Sequence, residues 1–269
     1  MEDKTPITIS IAGTGNVATA LVEKFLNVPE ISLMSVFSRQ ANNAEDFAKK
    51  YRFTHFTNDI SQIKKADFII ISIKDDAVSE IVQKLPFYSE TIYCHTAGSV
   101  GADVFSNRNF EKFGVFYPLQ SFTSFEKNNN DDFPLLVEGN SAETTQQLLH
   151  LAKKITAQAQ EMNAEQRAKL HVAAVMVNNF TNYIFAQAQE YCRQQNLPFE
   201  LLKPLILKTA QRAVLPDNNV WNFQTGPAVR NDNRTIKKHL EILSNFPAIK
   251  EMYQLLTQEI IEKQKQNNE

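Results

Sequence analysis

Seven glycines serve 269 residues, and two of them fall in the run Gly13-Thr14-Gly15-Asn16-Val17-Ala18. The run follows a β-branched apolar segment and opens an amphipathic one, the setting in which G-x-G-x-x-A binds the pyrophosphate of a dinucleotide. Gly13 permits the tight turn, Gly15 leaves room for phosphate, and Ala18 lets the helix lie close on the sheet. Gly13, Thr14, Gly15, Asn16 and Val17 are therefore expected to offer backbone N–H groups at a positive helix end. The competing reading is a strand-to-helix turn that holds no ligand.

A second apolar run ends at Phe37-Ser38-Arg39, where an NAD enzyme carries an acid for the ribose 2′-hydroxyl. No acid stands there. The Arg39 guanidinium can fork onto a 2′-phosphate with Ser38 as a second donor, which favours NADP(H); the plainer alternative is an exposed arginine at a strand end. Further strand ends reach the same edge. Ile73, Lys74 and Asp75 are expected to cover the cofactor, with Asp75-Asp76 also reading as a helix N-cap. In His95-Thr96-Ala97-Gly98-Ser99, Thr96 and Ala97 are assigned to the cofactor and His95, Gly98 and Ser99 to the substrate, joined by Pro118 and Gln120 from Tyr117-Pro118-Leu119-Gln120-Ser121. A histidine at a strand end is equally well read as one satisfied by a neighbouring backbone group.

His171 and Asn178 lie seven apart on one helical run and return to nearly the same face. His171 can give or take a proton near neutral pH, and Asn178, or Asn179 if the register slips, can orient a carbonyl or the imidazole. In Thr225-Gly226-Pro227-Ala228-Val229-Arg230-Asn231-Asp232, Arg230 offers a fork for a carboxylate or phosphate, with Asp232 holding it, and either Asp232 or Asn231 can cap the helix that follows. A histidine bonded in the packing, and turn chemistry without a ligand, are the alternatives. Cys94 and Cys192 sit in apolar segments without C-x-x-C spacing, so both read as buried thiols in a reducing compartment and no metal site is expected.

Short β-branched runs alternating with helical periods position these residues. Strands are predicted at 7–12, 31–37, 68–73, 91–95, 113–117 and 135–137, with helices at 16–27, 44–51, 76–84 and 142–156. Beyond about residue 160 the strand signal stops. One long helix is expected at 164–195, its wide stripe running from Leu170 to Cys192, followed by helices at 199–214, 233–244 and 247–263. The fold class is α/β: a doubly wound Rossmann domain with a mainly parallel sheet over 1–158, then an all-helical substrate and dimerisation domain over 159–269. Trp221 and the Met and Phe residues are assigned to the cores. The polar stretches 127–132 and from 264 onward read as a surface loop and a frayed end.

Lys and Arg number 28 against 30 Asp and Glu, a net charge of −2 with both signs scattered, which leaves no footprint for nucleic acid or an anionic membrane surface. No apolar run approaches the roughly 18 residues of a membrane span, and the acidic start lacks a basic leader, so a cytoplasmic chain is expected. Hydrophobic residues at 43% supply real cores.

In order, GTGNVA, SR, IKDDAV, HTAGSV, YPLQSF and TGPAVRND resemble a Rossmann-like NADP oxidoreductase family related to pyrroline-5-carboxylate reductase and the deazaflavin-dependent NADP reductases, whose C-terminal half is a domain of unknown function. The resemblance covers essentially the whole chain. More distantly it extends to the 6-phosphogluconate dehydrogenase-like group, and it implies a homodimer built by the helical domain, with the substrate held between the domains. Ala97 departs from the family's His-x-Ser-Gly, and Asn231 stands where glycine is common, although Asn also tolerates the left-handed region. Lys169 is followed four residues later by Ala173 rather than Asn, so the wider group's catalytic lysine is not transferred. The reaction implied is hydride transfer between NADPH and a small polar carbonyl or imine; the alternative is an NADP(H)-binding sensor or assembly protein without turnover.

Overall fold

The computed structural model describes residues 6–123, 132–216 and 219–267. All but the last residue of the loop expected at 127–132, and the acidic start, fall outside them. The chain divides into two compact units, Met1–Asn179 and Phe180–Glu269.

The first unit is built on eight strands, β1 (Ile7–Ala12), β2 (Ile31–Phe37), β3 (His55–Thr57), β4 (Phe68–Ile71), β5 (Ile92–His95), β6 (Lys112–Pro118), β7 (Leu135–Gly139) and β8 (Ala159–Glu161), in the order β3-β2-β1-β4-β5-β6-β7-β8. Every adjacent pair is parallel except β6 with β7. Because side chains alternate along a strand, Ile9 and Ile11 feed one buried cluster with Leu21, Phe25, Phe116 and Leu148, while Ala12, Ile69, Ile71 and Tyr93 feed another with Val78, Phe105 and Phe110. Helices α1 (Asn16–Phe25), α2 (Ala41–Tyr51), α3 (Val78–Lys84) and α4 (Ala142–Lys153) contribute their apolar stripes.

Two strands lay below the reach of periodicity. β3 and β8 have three residues each, too few to show alternation, and β8 carries the sheet past the expected domain boundary at 158/159. Neither Asp75 nor Asp76 caps a helix: they sit in a 3-10 turn, Asp75–Ala77, ahead of α3, and no side chain caps either element.

The run expected as one helix over 164–195 is divided. It comprises α5 (Ala164–Ala174), a π segment Val175–Phe180 and α6 (Thr181–Gln194). The i→i+5 bonding of a π turn shifts the register, so the seven-residue spacing no longer specifies one face. At the start of α5, Arg167 is 1% exposed. Its Nη1 donates to Glu138 Oε2 of β7 at 2.6 Å and to the Met162 carbonyl at 3.4 Å, and its Nη2 donates to the Val100 carbonyl at 3.1 Å.

In the second unit α7 (Lys203–Ala213), α8 (Asn233–Ile242) and α9 (Pro247–Gln266) follow α6, and α9 continues as helix beyond the frayed end expected from 264. Cys192 is buried here, as Cys94 is in β5. Trp221, however, is 46% exposed, and Leu201, Leu205, Leu207 and Val214 are more exposed still. The expectation that Trp221 lies in a core fails because this unit buries few apolar side chains.

Candidate functional site

Ligands in doubly wound sheets bind beyond the carboxyl ends of the strands, where the strand order reverses. Here that point lies between β1 and β4. A cleft of about 560 Å³ opens there, lined by Gly13, Thr14, Gly15, Asn16 and Val17 from the β1–α1 turn, by Phe37, Ser38, Arg39, Gln40 and Asn43 at the end of β2 and the start of α2, and by Ser72, Ile73, Lys74, Asp75 and Thr96 after β4 and β5. Of the residues expected to hold a cofactor, only Ala97 is not on this lining.

Gly13 and Gly15 lack a side chain for different reasons. Gly13 has φ of +130°, and a Cβ there would overlap the Ser72 carbonyl oxygen. Gly15 has φ of −82°, which any residue adopts, and a Cβ would meet nothing within 4 Å. The fold does not require glycine at 15; the space its missing Cβ leaves belongs to the cleft. Gly15 is also the N-cap of α1, offers no capping side chain, and is followed by no acid in the first turn. The uncapped N–H groups and the positive end of the helix thus suit an anionic pyrophosphate.

At the end of β2, Thr14 Oγ1 donates to Ser38 Oγ at 3.3 Å, and Arg39 is exposed on the cleft. Besides Asp75, a second acid lines the cleft, Glu80 of α3, which the strand-end pattern could not reveal. Its carboxylate lies 2.5 Å from Lys84 Nζ, and that bond holds its pKa below the usual range, with a small contribution from Arg39.

Beyond Thr96 the expectations divide. His95 is fully buried and does not line the cleft. Its Nδ1 accepts from the Ala97 N–H at 3.2 Å, which leaves Nε2 to donate to the Gly101 carbonyl at 3.2 Å, and its ring stacks on Phe105. His95 is therefore a residue satisfied by the backbone, and Ala97 is turned into that bond. Burial drives the His95 pKa down to about 4. Pro118 is buried in the β6–β7 ladder, and the exposed Gln120 accepts from the Ser121 N–H at 2.9 Å, so neither reaches the cleft.

Gly98 and Ser99 do come together with other polar groups. Ser99 Oγ donates to Asp75 Oδ2 at 2.5 Å, tying the loop after β5 to the cleft lining. Gly98 lies against the Tyr117 ring, where a Cβ would be 2.7 Å from Cζ. Tyr117 Oη is 3.0 Å from Nδ1 of His171, and the rings meet edge to face at 6.1 Å. Burial and then the Asp75 charge raise the phenol pKa, against a lowering by Arg167. Sequence reasoning passed over Tyr117 for Pro118 and Gln120, and a polar aromatic at a strand end is the one signal that marks it, since its partner is 54 residues away in sequence. Asn178 sits exposed in the π segment. In the second unit Asp232 caps α8, accepting from the Thr235 N–H at 3.0 Å and Oγ1 at 2.7 Å; Asn231 adopts φ of +50°, and Arg230 is exposed.

Residues 8–93 match the family described as NADP oxidoreductase, coenzyme F420-dependent, and residues 133–260 match the domain of unknown function DUF2520. A crystal structure described as "putative NADP oxidoreductase" from Bacteroides fragilis is 32% identical, covers 96% of this chain and 99% of that one, and has a TM-score of 0.84. The chain belongs to that family. Members of more distant groups share the family's fold. The 1-pyrroline-5-carboxylate reductase of Streptococcus pyogenes is 13% identical over 98% of this chain and 100% of that one, with a TM-score of 0.66. The Plasmodium falciparum pyrroline carboxylate reductase, solved with NADP bound, is 12% identical over 97% and 98%, with a TM-score of 0.62. No curated protein matches the chain.

Two outcomes follow from this geometry. Gly15→Ala should leave thermal stability within about 0.5 kcal/mol of the parent yet weaken dinucleotide binding at least tenfold, whereas Gly13→Ala should cost about 1–3 kcal/mol of stability; parallel melting and calorimetric titration separate the two. For His95, the unfolded chain takes up a proton near its ordinary value of 6.5 that the folded chain refuses until about 4. Stability is thus fully present above that window and falls as pH drops through it, by about 3 kcal/mol in all. Urea unfolding should show this slope in the parent and a flatter one in His95→Gln.

Proposed function

We propose that the chain is an NADP(H)-dependent oxidoreductase that passes hydride between NADPH and a small polar carbonyl or imine compound. The observation that carries the reading is the pairing of an open, uncapped Gly15 turn with Ser38 and Arg39 at the end of β2, where no acid is present to select a free ribose hydroxyl. The turn would take the pyrophosphate, Ser38 and Arg39 the 2′-phosphate, and the Thr96 end of the cleft the nicotinamide. When bound, the dinucleotide supplies or accepts the hydride. NADP in the names of the matching family and the Bacteroides relative supports this cofactor, and pyrroline, a cyclic imine, in the names of two fold neighbours suits the imine class. The reading draws on none of Asn178, Arg230 and Asp232.

The second unit is, in this reading, the homodimerisation element, which would cover the exposed Leu201, Leu205, Leu207 and Val214. Sedimentation equilibrium should give the mass of two chains, with Leu207→Lys shifting it towards one; a monomer at micromolar concentration would remove this part of the reading.

Calorimetric titration at fixed ionic strength tests the cofactor. NADH should bind at least about tenfold more weakly than NADPH, roughly 1.4 kcal/mol, and Arg39→Asp should weaken NADPH far more than NADH. Equal loss of both would sink the 2′-phosphate assignment, and binding of neither would overturn the function.

A further inference from the structure

Tyr117 and His171 are brought together by neither the cleft nor the core. Tyr117 stands at the carboxyl end of β6, on the same sheet edge as the cleft, and His171 is on α5. Both are half-buried, so the pair is shielded without being sealed. The phenol lies against Gly98, where a Cβ would be 3.0 Å from Oη, so the loop after β5 is bare where it passes the hydroxyl. The neighbouring Ser99 is bonded to Asp75, a lining residue of the cleft. The phenol is thus one loop removed from Thr96, at the end of the cleft where the proposed reading puts the nicotinamide.

Two titratable groups 3.0 Å apart beside a hydride-transfer site can do more than hold a helix to a sheet. We propose that Tyr117 is the proton donor of the reaction and that His171 reprotonates it. This rests on the oxidoreductase reading above and adds to it the group that completes reduction. Tyr117 Oη gives its proton to the substrate nitrogen or oxygen as the π pair of the C=N or C=O bond moves onto that atom. The phenolate left behind takes the proton from Nδ1 of His171 in its imidazolium form, and water returns a proton to the imidazole. Each turnover then consumes one hydride from the dihydronicotinamide and one proton from solvent.

The arrangement suits the role in its charges as well as its distances. Burial and the Asp75 carboxylate, from the loop after β4, keep the phenol protonated at neutral pH, so a proton is available to give. Arg167 of α5, held by Glu138 of β7, opposes them and would favour the transient phenolate. It lies one helical turn before His171 and is fixed by the carbonyls of Met162 and Val100, so its position does not depend on a substrate. Donation to a substrate requires the phenol O–H to turn outward, and that occurs when the imidazolium donates from Nδ1 to Oη.

The test does not depend on knowing the substrate. Tyr117→Phe keeps the ring against Gly98 and removes only the hydroxyl, and His171→Gln removes the titrating ring. Both variants should bind NADPH within about twofold of the parent, since neither residue lines the cleft. In ¹⁵N-histidine spectra, the His171 titration should differ between the NADPH and NADP⁺ complexes of the parent, because the oxidised ring carries a positive charge. Tyr117→Phe should itself change the His171 spectrum, because it removes the hydroxyl that bonds Nδ1. With 1-pyrroline-5-carboxylate and a set of 2-oxo acids as probes, Tyr117→Phe should lower kcat by about 100-fold. Because the relay needs an imidazolium, the parent's rate should fall on raising pH, and in His171→Gln that fall should disappear. Nucleotide binding with a His171 titration indifferent to the nicotinamide charge and to Tyr117→Phe would overturn the relay while leaving the cofactor assignment intact. Absence of any nucleotide binding would overturn both.

Discussion

The carboxyl ends of β1 and β4 approach so closely that the Ser72 carbonyl fills the space a side chain at position 13 would need. Ser72 donates to the Ala12 carbonyl at 2.7 Å and Gly13 to the Phe37 carbonyl at 2.8 Å, so the three strands are locked together at the residue where the chain must leave the sheet. Only a positive φ allows the exit. That turn places Gly15 at the head of α1 and directs the uncapped end of the helix into the cleft, and the loops after β2 and β4 acquire a common space to line because of it.

A second constraint organises the loops further along the edge. Removing a guanidinium from water costs several kcal/mol, and the cost is recovered only if its hydrogen bonds are well made. Arg167 meets that condition at its two terminal nitrogens, which reach one carboxylate and two carbonyls drawn from β7, the segment before α5 and the loop after β5, while its Nε is buried without a hydrogen-bond partner among the described residues. The same loop is tied to the cleft by Ser99 and Asp75. Arg167 thereby holds α5, which carries His171, to β7 and to the loop after β5, against which the Tyr117 ring packs.

Most of the sheet was legible because parallel strands covered on both faces are nearly unbroken apolar runs, and most residues lining the cleft were legible because they fall at the ends of those runs. Local signals held wherever the chemistry is local: Asp232 caps α8 and Asn231 takes the left-handed turn. They failed where the outcome depends on distant groups. Asp75 had the composition of a helix cap, but its carboxylate serves Ser99. His95 had the position of a substrate ligand, but two backbone groups claim its ring. Periodicity alone could not reveal the π segment, since Val175–Phe180 is as helical in composition as its neighbours. Nor could it pair Tyr117 with His171, whose meeting depends on where β6 and α5 lie in three dimensions.

The antiparallel pairing of β7 with β6 bears on how such chains can be dissected. The matched region of unknown function begins at residue 133, before β7, yet β7, α4, β8 and α5 all belong to the first compact unit. A fragment cut at that point would carry away the edge of the sheet, leaving β6 with open hydrogen-bonding groups and the severed β7 with a matching set. It would also separate Glu138 and Arg167 from the Val100 carbonyl that completes their network. The unit of inheritance recognised by sequence and the unit of folding are therefore different segments of this chain, and a gene fragment drawn on the first would encode two sticky edges rather than two domains.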